Sequence, residues 1–271
     1  MPLKLLSWLF IFSEMACAPA GRQTEVEPAR GVLGGDSFLA MDASTGMIDQ
    51  VPDAAMPNCK RLNIGILGKL GNTTSSNFQT WLTNAGTSAK NIETTPTDLL
   101  TASVLAEFDV IVLDELQHDY SSSEVTAFQA WVNAGGGFVS MSGFSGASDD
   151  FRANALLAPM GLAYSGSIVN GPVTTFVPSA VTAGLTSVSF VGGYVISDLG
   201  GTATTRTPIA SLPAGNVGYL VKAGQGGGFV WGDEWIEYDS EWQSIPDIKQ
   251  LWVNVFAWIG PKNGCMLQPI Q

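Results

Sequence analysis

Residues 108–116 read FDVIVLDEL. After Asp109 the run Val110-Ile111-Val112-Leu113 is wholly apolar, and it ends abruptly in Asp114 and Glu115. A strand with one wet face alternates apolar and polar side chains, whereas an unbroken apolar run of this length means that both faces are covered. The stretch therefore predicts a central strand of a parallel sheet, with its two acids at the carboxyl end.

The flanking sequence has the matching texture. Upstream, Leu62–Leu67 (LNIGIL) predicts a short strand and Gly68–Asn72 a glycine-containing loop. Ser75–Asn84 predicts a helix with Phe78, Trp81 and Leu82 on one face, closed by Gly86. Lys90–Thr95 reads as a weak strand, and Thr97–Glu107 as a helix capped by Thr97. Downstream, Ser121 or Ser122 caps a helix over Glu124–Asn133. Gly135-Gly136-Gly137 stops it, and Phe138–Ser142 (FVSMS) is the next strand. Strand and helix thus alternate from 62 to 142, which predicts an α/β fold with a mostly parallel sheet flanked by helices.

From Leu162 to Gly228 the texture changes to short β-prone runs rich in Gly and Thr: Ala163–Val169, Val173–Val177, Val188–Val191, Tyr194–Ile196 and Val217–Val221. These predict added strands in the C-terminal half, partly antiparallel. The late strand Gly228–Trp231 breaks at Gly232 into DEWIEYDSEW. That places five acids (Asp233, Glu234, Glu237, Asp239, Glu241) within nine positions, among Trp235, Tyr238 and Trp242. Only 13% of the chain is charged, so this is a local concentration. The final helix, Ile245–Ile259, carries Ile248, Leu251, Trp252, Val255, Phe256 and Ile259 on one broad face that should pack on the sheet.

Three stretches together resemble the class I glutamine amidotransferase-like, flavodoxin-like fold: FDVIVLDEL, AWVNAGGGFVSMSGFSG, and GGGFVWGDEW followed by the terminal helix. The resemblance covers roughly residues 60–260. It implies a nucleophilic Cys on a tight turn after the strand Phe138–Ser142, with His and Glu partners just after the late strand. This sequence departs from that pattern. Residues 140–146 hold no Cys, and Gly232-Asp233-Glu234 stands where the His would be. The single His of the chain, His118, follows the third strand instead. A thiolate and an imidazole within hydrogen-bond reach are required for that chemistry, so glutamine hydrolysis by the thiol route is not expected. A Ser substitute at Ser142 or Ser145 lacks the G-x-S-x-G elbow.

In open α/β sheets ligands bind beyond the carboxyl ends of the strands. The candidate ligand-binding residues are therefore Asp114, Glu115, His118, Ser142, Asp233, Glu234 and Trp235. Paired carboxylates can serve glycoside hydrolysis, clustered oxygens can hold Ca²⁺, and the aromatic rings can stack on sugars. Each residue also has a plainer reading. Trp231 and Trp235 can be core, Asp233 or Asp239 can cap a helical turn, Glu237 and Glu241 can be solvated, and His118 can be a surface side chain. No catalytic residue, metal ligand set or cofactor is assigned.

The remaining features concern location. Net charge is −12, which argues against nucleic acid and against an anionic membrane surface. Met1–Phe12 (MPLKLLSWLFIF) puts one Lys before an apolar run too short to span a bilayer, as in a secretory signal. The following SEMAC resembles a lipobox with Cys17 as the lipidation candidate, although Glu14 stands where an aliphatic residue is usual; ordinary cleavage near Ala16–Ala20 is the alternative. The expected organisation is a signal over 1–17, a disordered tether over 18–58 rich in Gly, Ala, Pro, Asp and Glu, and one α/β domain over 59–265. Cys59 and Cys265 flank the first and last core elements, so a disulfide joining the domain's ends is expected in an exported protein. The expected function is that of an exported, membrane-tethered bacterial protein whose non-catalytic amidotransferase-like domain binds a small ligand, glycan or envelope partner at the strand rim. A hydrolase using rim carboxylates or Ser142 and a purely structural envelope module are the alternatives.

Overall fold

A computed structural model describes residues 59–68, 76–84, 87–92, 100–116, 119–143 and 151–265. Its centre is an eight-stranded sheet. Five strands run parallel: β1 (Asn63–Gly68), β2 (Ser88–Asn91), β3 (Val110–Asp114), β4 (Gly137–Ser140) and, late in the chain, β10 (Gly226–Trp231). They lie in the order β2-β1-β3-β4-β10, with β10 in the fifth place of the 2-1-3-4-5 order of flavodoxin-like sheets. The sheet then continues antiparallel through β9 (Gly215–Ala223), β8 (Thr205–Leu212) and the short edge strand β6 (Thr175–Phe176). A separate antiparallel ribbon pairs β5 (Leu162–Asn170) with β7 (Val191–Asp198).

All five residues of β3 are buried, as its unbroken apolar run requires. Alternation sends Val110 and Val112 to one face and Ile111 and Leu113 to the other. The first face packs against α1 (Ser76–Asn84) and α6 (Pro246–Ile259), through Phe78, Trp81 and Leu82 and the six apolar positions expected of the last helix. The opposite face packs against α2 (Ala102–Leu105), α3 (Ser122–Asn133) and α4 (Ala153–Leu157). Phe229 and Trp231 of β10 share the first face and Val230 the second, in keeping with the expected alternation.

The caps resolve two sequence ambiguities. Ser121, not Ser122, caps α3: its hydroxyl accepts the Glu124 N–H while Glu124 accepts the Ser121 N–H at 2.9 Å, a reciprocal capping box. Glu124 also accepts the Leu100 N–H at 2.9 Å, tying α3 to the chain entering α2. The second helix covers only Ala102–Leu105 and is capped by Thr101; Thr97 lies outside the described residues. The second strand is Ser88–Asn91 rather than Lys90–Thr95, because its register is set by parallel pairing with β1 and not by its own weak pattern.

The ends of the body are joined. Cys59 and Cys265 form a disulfide with Cα atoms 4.9 Å apart. Around it the Lys60 N–H donates to the Asn263 carbonyl and the Cys265 N–H to the Lys60 carbonyl. Among the described residues no helix is long and apolar enough to cross a membrane. The expected signal, Cys17 and tether fall on residues 1–58, outside the described residues.

Candidate functional site

Three parallel strands end side by side at one rim. β3 ends at Asp114, the chain leaving β4 passes Ser142 and Gly143, and β10 leads through Gly232 into Asp233 and Glu234. The β3–β4–β10 pairing therefore brings Asp114, Glu115, Ser142, Asp233 and Glu234 to the same edge. His118 lies outside the described residues, as does Ser145.

At the β10 end, a 3₁₀ turn covers Glu234–Glu237, a short helix α5 covers Asp239–Trp242, and Asp233 is the cap of the first. One Asp233 oxygen accepts the Trp235 N–H at 3.1 Å and the other the Val191 N–H at 2.6 Å. Asp233 thus closes the turn and fastens the start of β7 to the rim. It is fully buried, and burial pushes its pKa from 3.8 up to about 7 against the pull of those two N–H donors. The capping reading of Asp233 describes its contacts better than the ligand reading does.

Gly232 is not among the glycines with positive φ. Its constraint is proximity: a Cβ here would lie 2.0 Å from the Tyr194 carbonyl oxygen, where β7 crosses the end of β10. The Tyr194 N–H donates to the Gly232 carbonyl at 2.7 Å, so the two backbones touch directly.

Glu234 faces the other carboxylates. It is 4% exposed. Its Oε1 accepts the Tyr238 hydroxyl at 2.8 Å, and its Oε2 has no hydrogen-bond partner among the described residues. Burial and then the negative charge of Asp114, with smaller contributions from Glu115 and Asp233, push its pKa from 4.5 up to about 9. At neutral pH Glu234 is therefore a protonated acid beside other carboxyl groups. Tyr238 feels the same field: burial first, then Glu234, Asp114 and Glu115, hold its phenol well above the ordinary range. Trp235 and Tyr238 are half-buried and pack ring to ring at 4.7 Å.

Two further details shape the rim. Glu115 has φ of 38°, the only left-handed non-glycine backbone among the described residues. Such a conformation costs on the order of 1–3 kcal/mol and tends to occur at functional sites. Below it, the Ser140 and Tyr164 hydroxyls are 2.8 Å apart and buried, and Tyr164 is held protonated by burial with Asp114 nearby. Gly143 follows β4 and lies against Glu234: a Cβ on it would come within 2.4 Å of both Cγ and Cδ of that side chain.

Sequence reasoning marked Asp114, Glu115, Ser142, Glu234 and Trp235, but it missed the contacts of Tyr238, Gly143 and the Ser140–Tyr164 pair. The four-residue step from Glu234 to Tyr238 was the available signal for the first. The other two depend on register between distant strands.

Solved structures share this fold. The N-terminal domain of mmIFT52 matches with a TM-score of 0.59 at 15% identity, covering 73% of this chain and 96% of that one. A cytoplasmic protein of Salmonella typhimurium LT2, STM1381, matches at 0.56 and 14% identity over 74% of this chain and all of its own. A ThuA-like protein from Bacteroides uniformis matches at 0.50 and 15% identity, over 76% and 92%. No family model matches the sequence, and no curated protein sequence matches it either. At these identities the likeness is one of fold. The ThuA-like match supports the flavodoxin-like kind of α/β architecture.

Proposed function

We propose that this is an exported, membrane-tethered binding protein whose amidotransferase-like domain has exchanged thiol chemistry for a ligand site at the β3–β4–β10 rim. One observation carries the reading. The turn after β4, where the resembled family bears its nucleophile, holds Gly143, and the Glu234 carboxyl fills the space a side chain there would need. In place of a nucleophile the rim presents a buried acid, two neighbouring carboxyl residues and a half-buried aromatic pair. The disulfide is compatible with an oxidising compartment.

The test is a comparison of the wild-type full chain with Glu234→Gln against a panel of glycans and small metabolites. Gln keeps the size of the side chain and can still accept the Tyr238 hydroxyl. The reading expects a bound panel member whose affinity falls in the variant while the variant melts no lower. Retention of every wild-type interaction by Glu234→Gln sinks it.

A second reading rests on the protonation of Glu234. A neutral acid beside a second carboxyl group is the pairing used for general acid–base hydrolysis. It expects turnover of aryl glycosides or esters that collapses in both Glu234→Gln and Asp114→Asn. Panel binding without turnover removes it.

A further inference from the structure

We propose that a small cavity at the amino ends of β4 and β10, walled by Lys222 and Lys262, binds a phosphate group. It lies at the end of the sheet opposite the β3–β4–β10 rim and stands or falls independently of the reading of that rim.

The cavity measures about 90 Å³, and its lining includes the side chains of Lys222, Gln225, Trp258 and Lys262 with Gly226 and Gly227 between them. Lys222, Gln225 and Lys262 are exposed, so the space opens to solvent. Each wall is carried by a fixed element. Lys222 sits in β9 directly opposite Gly227 of β10. Gln225 is in the turn joining those strands, where its N–H donates at 2.9 Å to the carbonyl of Asn133, the last residue of α3. Trp258 belongs to the last turn of α6. Lys262 is in the turn that follows, which is closed by the Gly264 N–H on the Pro261 carbonyl at 2.8 Å and is held to Lys60 beside the Cys59–Cys265 disulfide. A missing side chain keeps the space open. A Cβ on Gly227 would lie 2.4 Å from the Val221 carbonyl oxygen and 3.5 Å from both Lys222 Cδ and Trp258 Cη2.

Charge and size select the ligand. The acids carried near the amino ends of β3 and β8 are answered by other cations: Asp109 pairs with Lys60, Glu107 with Lys90 and Asp198 with Arg206. Neither Lys222 nor Lys262 pairs with a carboxylate among the described residues. The Lys222 Nζ instead lies 4.4 Å from the centroid of the Trp258 ring. That cation–π contact holds the ammonium at the cavity wall, so less freedom is lost when an anion binds. Two ammonium groups match a phosphate, which carries about −1.5 to −2 near neutral pH, and the Gln225 amide adds an N–H donor. A carboxylate would answer only one of the two. Pockets for drug-sized ligands run to about 300 Å³ or more, so this cavity admits one compact group and leaves any larger remainder outside. Long-range attraction contributes nothing, because the chain carries a net charge of −12 and repels anions at a distance. Whatever holds a phosphate here acts at contact.

The probe is inorganic phosphate, titrated in low salt at about pH 7.5 into the isotopically labelled full chain and followed by proton–nitrogen NMR. A ligand this small, held by two ammonium groups, should bind with a Kd of about 1 mM. The shifts should centre on the amides of Gly226 and Gly227 and on the Trp258 indole. Lys222→Gln and Lys262→Gln should each weaken binding about fivefold, the worth of one charge at contact in water. Both side chains are exposed, so these variants should melt within about 2 °C of the wild type. Lys249→Gln, in the first turns of α6 and so at its other end, removes the same charge and should change the affinity less than about twofold. Acetate should bind at least about fivefold more weakly than phosphate. Glycerol 3-phosphate separates two sources of the group: affinity equal to that of phosphate extends the site to phosphate esters, affinity about tenfold weaker restricts it to the free anion, and the proposal holds in either case. No saturable shift by about 20 mM phosphate overturns it. So do shifts centred elsewhere, or a loss in Lys249→Gln equal to that in the two cavity variants.

Discussion

Replacing Glu234 with Gln should stabilise the protein, and by an amount that grows with pH. The side chain is 4% exposed and its pKa rises from 4.5 to about 9, chiefly through burial and then through Asp114. Below about pH 4.5 both folded and unfolded chains hold the proton, and the group costs nothing. Between 4.5 and about 9 the unfolded chain ionises and the folded chain does not, so the unfolded state binds fewer protons and stability falls as pH rises. The ceiling on the slope is about 1.4 kcal/mol per pH unit, or roughly 3 kcal/mol accumulated by pH 7. Relaxation of the site and water entry reduce this to about 1–2 kcal/mol. Gln cannot ionise, still accepts the Tyr238 hydroxyl, and offers its amide to the neighbouring carboxylates. At the usual few degrees per kcal/mol for a domain of this size, the variant should melt about 3–6 °C above wild type at pH 7.5. The two should coincide near pH 4.5. Asp233, raised from 3.8 to about 7, remains in both proteins, so the variant keeps a shallower loss of stability up to about neutrality. Melting curves followed by near-UV circular dichroism across pH 4–9 measure this directly. Parallel curves for the two proteins over that range would refute the assignment of a buried, electrostatically opposed acid.

Gly143→Ala should destabilise by about 1–3 kcal/mol because its Cβ meets Glu234 at 2.4 Å; in a Glu234→Ala background the same change should cost far less, and additive urea midpoints would deny the contact. Reduction of the Cys59–Cys265 bridge, which closes a separation of 206 residues, should lower stability by a few kcal/mol, with about 5 as the chain-entropy ceiling. Non-reducing peptide mapping of protein from an oxidising compartment should recover the linked pair, and two free thiols there would exclude it. Metabolic labelling with a fatty-acid analogue should mark the wild type and not Cys17→Ser; equal labelling, or none in either, would remove the lipid tether.

The sequence by itself determined the class of the fold, because the strongest signals are local. The apolar run of β3, the capping residues before α3 and the wide apolar face of α6 each specify an element through neighbours within one or two turns of chain. That residues 140–146 hold no Cys is likewise plain from the sequence and requires no geometry. The sequence placed acids at strand ends, because chain direction in a parallel sheet decides which end of an element faces the rim. Only the tertiary structure decided how those acids differ. Asp233 and Glu234 are adjacent and chemically alike, yet one accepts two backbone N–H groups and anchors β7, while the other accepts the Tyr238 hydroxyl and has its ionisation opposed by the charges of Asp114 and Glu115. That distinction follows from a 3₁₀ turn and from the ribbon laid across the end of β10. Neither leaves a periodic trace in the sequence. The same is true of Gly232, which is required because Tyr194, 38 positions earlier, brings its carbonyl within van der Waals reach. Local pattern specifies an element; the environment of a charge depends on every chain segment that excludes water from it, and those segments meet only in the folded protein.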